Sequence, residues 1–107
     1  MSTFDVREKG YDSRFAHYAE MRFKAEARRN KLLGLWAAEL MGLSGDDADA
    51  YAKEVIKSDF EEAGDEDVFR KIRGDLDAKN IEQSDHQIRR TMDELMAKAE
   101  QQIEDEG

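Results

Sequence analysis

Apolar residues recur every three or four positions along most of the chain, and the breaks in that rhythm divide it into four helical segments behind a leading arm. Leu32, Leu33, Trp36, Leu40 and Leu43 give the first helix its core-facing stripe; Gly42 supplies a left-handed stop, over which Leu43 folds back. Ser44 is placed to cap the second helix, with Asp46 and Asp47 at its positive end; its stripe is Ala48, Tyr51, Ala52, Val55, Ile56, Phe60 and Ala63, and Gly64 ends it. Asp65, Glu66 and Asp67 open a third helix that carries Val68, Phe69, Ile72 and Leu76 and is weakened at Gly74 by about 1 kcal/mol relative to alanine. Ser84 with Gln87 forms a capping box ahead of Ile88, Met92, Leu95, Met96, Ala99 and Ile103. The spacing thus predicts helices over about 19–41, 45–63, 66–79 and 85–103. Short connections make consecutive helices neighbours, so the fold expected is all-α: a small four-helix bundle over 21–107 behind a mobile N-terminal arm, residues 1–20.

Composition strengthens the helical reading and limits the function. Proline is absent from the 107 residues, and Ala, Glu, Lys, Leu, Met and Arg dominate. One domain of this length, with 39% hydrophobic and 40% charged residues, supports only a thin core. The absence of cysteine excludes disulfides and thiolate metal sites. The polar N-terminus resembles no signal peptide and no segment is apolar enough to span a bilayer, so a cytoplasmic protein without direct membrane insertion is expected. A net charge of −9 argues against nucleic acid as a partner. That charge is unevenly spread. Residues 21–31 hold Arg22, Lys24, Arg28, Arg29 and Lys31 against Glu26 alone, a local +4, whereas residues 32–107 carry −12. Such polarity suggests docking on a larger partner, although a cationic run is also the ordinary solvated face of a helix.

The arm has its own pattern. Phe4, Tyr11, Phe15 and Tyr18 follow at intervals of 7, 4 and 3, while Thr3, Asp5, Gly10 and Ser13 lower the intrinsic helicity. A stripe too weak to fold alone suits a segment that becomes a helix in a partner's groove. The same stripe also fits a plain extension of the first helix packed on the bundle.

Residues with chemistry to offer do not assemble into a catalytic pattern. No phosphate-cradling glycine loop, zinc-protease helix or nucleophile elbow occurs, and His17 and His86 stand far apart without a neighbouring nucleophile. The chain is therefore expected to be no enzyme and to need no cofactor or metal. The acidic groups Asp46, Asp47, Asp49 and Glu61, Glu62, Asp65, Glu66, Asp67 lack the alternating ligands and central glycine of a calcium loop. Helix-start electrostatics accounts for most of them; Glu61 and Glu62, near a helix end whose dipole opposes them, are the exception.

FKAEARRNKLLGLWAAEL at 23–40, YAKEVIKSDFEEAGDEDVFRKIRGDLDAK at 51–79, the opening TFDVRE and RFAH at 14–17 resemble the zeta-subunit family of alphaproteobacterial F1-ATPase inhibitors. The resemblance covers nearly the whole chain. It implies a four-helix fold behind a mobile arm, and a protein that binds the α, β and γ subunits of F1 at the cytoplasmic face of ATP synthase and blocks ATP hydrolysis. It also implies that the arm is the inhibitory element. Joined to the pattern above, Phe4, Tyr11, Phe15 and Tyr18 would supply buried contacts; Asp5, Arg7, Glu8 and Arg14 would set polar register; Arg22, Lys24, Arg28 and Arg29 would dock on an acidic rim. The free protein is expected to be monomeric. Tyr18 and Ala19 depart from the family pattern, which has acidic residues after the histidine. The alternative is a small acidic helical adaptor whose arm is a mere tail and which leaves ATP hydrolysis untouched.

Overall fold

The computed structural model describes the backbone of residues 2–59 and 65–106 and the side chains of residues 18–59 and 65–106. Four helices follow one another: α1 Ser2–Leu40, α2 Gly45–Ser58, α3 Glu66–Ala78 and α4 Asp85–Glu106. The described residues include no strand, so the fold is all-α. The helix start expected near residue 19 does not occur. Backbone turns run unbroken from Ser2 to Leu40, a stretch without proline in which no residue forces a stop. α4 likewise continues three residues past the expected end, to Glu106. Phe60, Glu61, Glu62, Ala63 and Gly64, which include the expected end of the second helix, lie outside the described residues.

α1 is the helix on which the others assemble, since it packs against α2, α3 and α4, while α3 bridges α2 and α4. Its buried positions are Ala25, Arg29, Asn30, Leu33, Gly34, Ala37 and Ala38, a stripe of spacing three to four. This corrects the expected face. Leu33 is fully buried, but Leu32 is half-buried, Trp36 is half-buried at the core's rim and Leu40 faces solvent. Small residues explain the rotation, because they let a neighbouring backbone come close. A Cβ built on Gly34 would lie 2.7 Å from Ala52 Cα, a contact that only glycine avoids. Against this stripe pack Tyr51 and Val55 of α2, Val68, Ile72 and Leu76 of α3, and Ile88 and Met92 of α4, all buried. Among the described residues the apolar periodicity of α2, α3 and α4 thus translates into the core; Phe60 and Ala63 of the expected α2 stripe lie outside them.

The ends of the helices follow local chemistry except at the starts of α2 and α3, and Asp65 ahead of α3 makes no side-chain capping bond. At the end of α1, Gly42 adopts φ +80° and two capping bonds form: Leu43 N to Ala38 O at 2.8 Å and Gly42 N to Glu39 O at 3.1 Å. α3 ends in the same way with asparagine in the glycine's place. Asn80 has φ +59°, and Ile81 N reaches Leu76 O at 2.9 Å. The box at α4 is reciprocal: Gln87 N donates to Ser84 Oγ at 3.1 Å and Ser84 N to Gln87 Oε1 at 2.9 Å. Ser44 precedes α2 in extended conformation but its side chain makes no capping bond, leaving Asp46 and Asp47 to meet the dipole.

Two glycines inside helices, Gly34 and Gly74, should respond oppositely to alanine. Gly74→Ala, with nothing within 4 Å of the new methyl, should stabilise the protein by about 1 kcal/mol through propensity. Gly34→Ala should instead cost about 1–3 kcal/mol by overpacking and lower the melting midpoint by roughly 5–15 °C. Thermal melts followed by circular dichroism check the pair; equal shifts would mean the α1–α2 approach is looser than described.

Candidate partner-binding site

The middle of α1, from Tyr18 to Lys31, divides into an outward and an inward face, and its basic residues are shared between them. Tyr18 stands 68% exposed and Phe23 58% exposed, large rings at the surface of an otherwise charged helix. Arg22 is exposed and bonds Glu26 one turn on at 3.1 Å, with Glu100 of α4 at 4.0 Å. Lys24 is exposed and pairs with Glu20 at 3.2 Å. Beside Tyr18 a shallow groove of about 220 Å³ runs between the helices, floored by Met21, Ala25 and Ile103 and edged by Arg22 and Glu100. This is an amphipathic surface with both ring and cation at its rim.

Arg28 and Arg29, neighbours in sequence, have different fates because they project about 100° apart around the helix. Arg28 leans onto the end of α4: Nη1 donates to Gln102 Oε1 at 2.9 Å and to Glu106 Oε2 at 2.7 Å, and Nη2 to Glu106 Oε1 at 2.9 Å. The fork holds the Glu106 carboxyl below the ordinary glutamate value, and the same hydrogen bond raises the Arg28 guanidinium. Arg29 turns inward and is only 6% exposed, which corrects its expected place on a docking surface. Its Nε donates to Asn30 Oδ1 at 2.7 Å and its Nη1 lies 4.0 Å from Asp65. Asn30, also buried, donates to Asp59 Oδ2 at 2.9 Å, and Arg89 of α4 reaches Asp65 at 3.3 Å. Arg89 also stacks over the Phe69 ring, 4.1 Å from its centre. A polar chain therefore ties α1 to the end of α2, the start of α3 and the face of α4.

This inward network is the part that the reading of the chain missed, and a signal for it exists. Counting back from Leu33 in steps of four lands on Arg29 and Ala25, the two positions that extend the buried stripe. A cation on such a stripe needs a partner, which the buried Asn30 and the half-buried Asp65 supply.

Of the remaining expected site residues, Phe4, Asp5, Arg7, Glu8, Tyr11, Arg14 and Phe15 have side chains outside the described residues, as does His17; their backbone lies within α1. His86 is exposed at the start of α4. Among the described residues no group of three or more histidines and carboxylates is gathered as a metal site, and no helix is long and apolar enough to cross a membrane. Asp67 is buried and paired with Arg70, its second oxygen unsatisfied.

Comparison with known proteins adds two findings. A sequence model of the family described as ATPase inhibitor subunit zeta matches residues 1–102. A structure determined by solution NMR is similar at 59% sequence identity, covering 81% of this chain and 99% of its own, with a TM-score of 0.72. No curated protein matches.

The network makes a pH prediction. Burial, the largest influence, pushes the Asp59 carboxyl above the ordinary aspartate value, against the hydrogen bond from Asn30 and the charge of Arg29. A raised folded-state value means that the native state prefers this acid protonated. Its contribution to stability is present below the ordinary aspartate value and is lost as pH rises through the folded value. Asp59→Asn, which keeps an acceptor for Asn30, should therefore melt at the same temperature as the wild type near pH 3 and higher than it at pH 7. Paired melts at the two pH values check this.

Proposed function

Because the chain belongs to the ATPase inhibitor subunit zeta family, we propose that it inhibits ATP hydrolysis by the F1 part of ATP synthase through the leading segment of α1, residues 1 to about 20. The carrying observation is the family match over residues 1–102, which takes in that segment and the bundle together. The segment enters as a helix at a catalytic interface between α and β subunits, beside γ. Hydrolysis requires this interface to open and close in turn, and a helix lodged in it holds one state by differential affinity.

Three features of the chain support this reading. α1, at about 58 Å for its 39 residues, is far longer than α4, at about 33 Å for 22. A helix that outreaches its neighbours has a length to spare for a partner. Tyr18 is exposed where that length meets the bundle, in line with the aromatic spacing of Phe4, Tyr11 and Phe15. Arg22, Lys24 and Arg28 line the next two turns and steer the complex onto an acidic rim, while Arg29 supports them from within. Asp5, Arg7, Glu8 and Arg14 set the register of the inserted helix. The bundle from Leu32 onward is the anchor, monomeric when free and acting from the cytoplasm on membrane-bound ATP synthase. In the complex the arm's side chains gain the contacts that fix its helix in place.

The adaptor reading separates from this one in a single assay. Deleting residues 1–19 should abolish inhibition of F1 ATP hydrolysis while circular dichroism shows the bundle still folded; an adaptor would keep its partner affinity. Tyr18→Ala should weaken inhibition by roughly tenfold without moving the melting temperature, since an exposed ring anchors binding but not the fold. Undiminished inhibition by the deleted protein would exclude the arm as the inhibitory element.

A further inference from the structure

The last turn of α4 is built against its own helix dipole. It holds Glu104, Asp105 and Glu106 with no basic residue, where the negative end of a helix favours cations. After Ile103 it contributes no apolar side chain to the core. What holds it to α1 is the fork of Arg28 on Glu106, assisted by Gln102 and by the nearby charge of Lys24, while within α4 Gln101 Nε2 donates to Asp105 Oδ1 at 3.1 Å. One turn back, Glu100 approaches Arg22. The acidic end of one helix thus occupies the same cations that an acidic partner surface would need.

We propose that the last turn of α4 is an intramolecular latch: its Glu106 carboxylate stands in for the acidic partner on Arg28 and is displaced when α1 docks. The inference rests on the docking reading above and adds a competition to it. The chemistry suits a displaceable contact. A fork between an arginine and a carboxylate is specific in geometry, yet at a solvent-exposed site it contributes little and is screened by salt. Ile103, buried beneath the turn and lining the same groove as Met21 and Ala25, keeps the rest of α4 in place when the turn lets go.

Glu106→Ala tests the latch in the full chain. Removing the internal competitor should lower the concentration for half-inhibition of F1 ATP hydrolysis by about two- to fivefold, the range of an exposed pair. The gain should vanish in an Arg28→Ala background. In the free protein, amide hydrogen exchange should quicken over residues 104–106 and stay unchanged over 85–99. Inhibition by Glu106→Ala equal to or weaker than the wild type overturns the latch, and so does a gain that persists without Arg28, which would be a plain effect of net charge. Failure of the wild type itself to inhibit would instead overturn the proposed function.

Discussion

The close approach of α1 and α2 at Gly34 sets where everything else in this protein can lie. Gly34 and Ala52 bring two backbones together at a distance no larger residue permits. That contact turns the stripe Ala25, Leu33, Ala37 and Ala38 inward and leaves Trp36 at the rim, the reverse of what side-chain size suggests. Once α2 is seated there, α3 and α4 complete the core with Ile72, Leu76, Ile88 and Met92 over the remaining surface. A thin core in a highly charged chain is sufficient because its small residues allow dense contact rather than many large side chains.

The same rotation divides the cationic run. Turning Leu33 and Ala25 inward carries Arg29 with them and leaves Arg22, Lys24 and Arg28 outside. A buried guanidinium is costly unless paired, so Arg29 is met by Asn30 and Asp65, and through Asn30 by Asp59. The polar chain makes the base of the outward face depend on the junction of α2 and α3. α1 thereby serves both as the central support of the bundle and as the carrier of the surface proposed to meet F1.

The acidic excess of the chain fits the same division of labour. Much of it is engaged within the molecule: Asp77 and Asp85 with Arg73, Asp75 with Lys71 and Tyr51, Glu66 with Arg89, Glu106 with Arg28. Pairs of this exposed kind add little stability each, but they set which cations remain accessible. Tyr51 shows how far burial can go; its phenol, removed from water and bonded to Asp75, is held strongly in the neutral form.

By itself the chain's sequence determined what depends on neighbours along it. Helix type, the stripes of α2, α3 and α4, the stop at Gly42 and the box at Ser84 and Gln87 are all interactions within a few residues, so periodicity and cap chemistry display them. The family resemblance was legible in the same way, because it lies in contiguous blocks. Only the tertiary structure decided which side of α1 faces inward, since Leu32, Leu33, Trp36 and Ala37 offer two overlapping stripes and the choice rests on the distance to Ala52, eighteen residues away from Gly34. The partners of Arg28 and Arg29 were hidden for the same reason. Glu106 is 78 residues from Arg28, and a contact across that separation exists only after helices have chosen their packing.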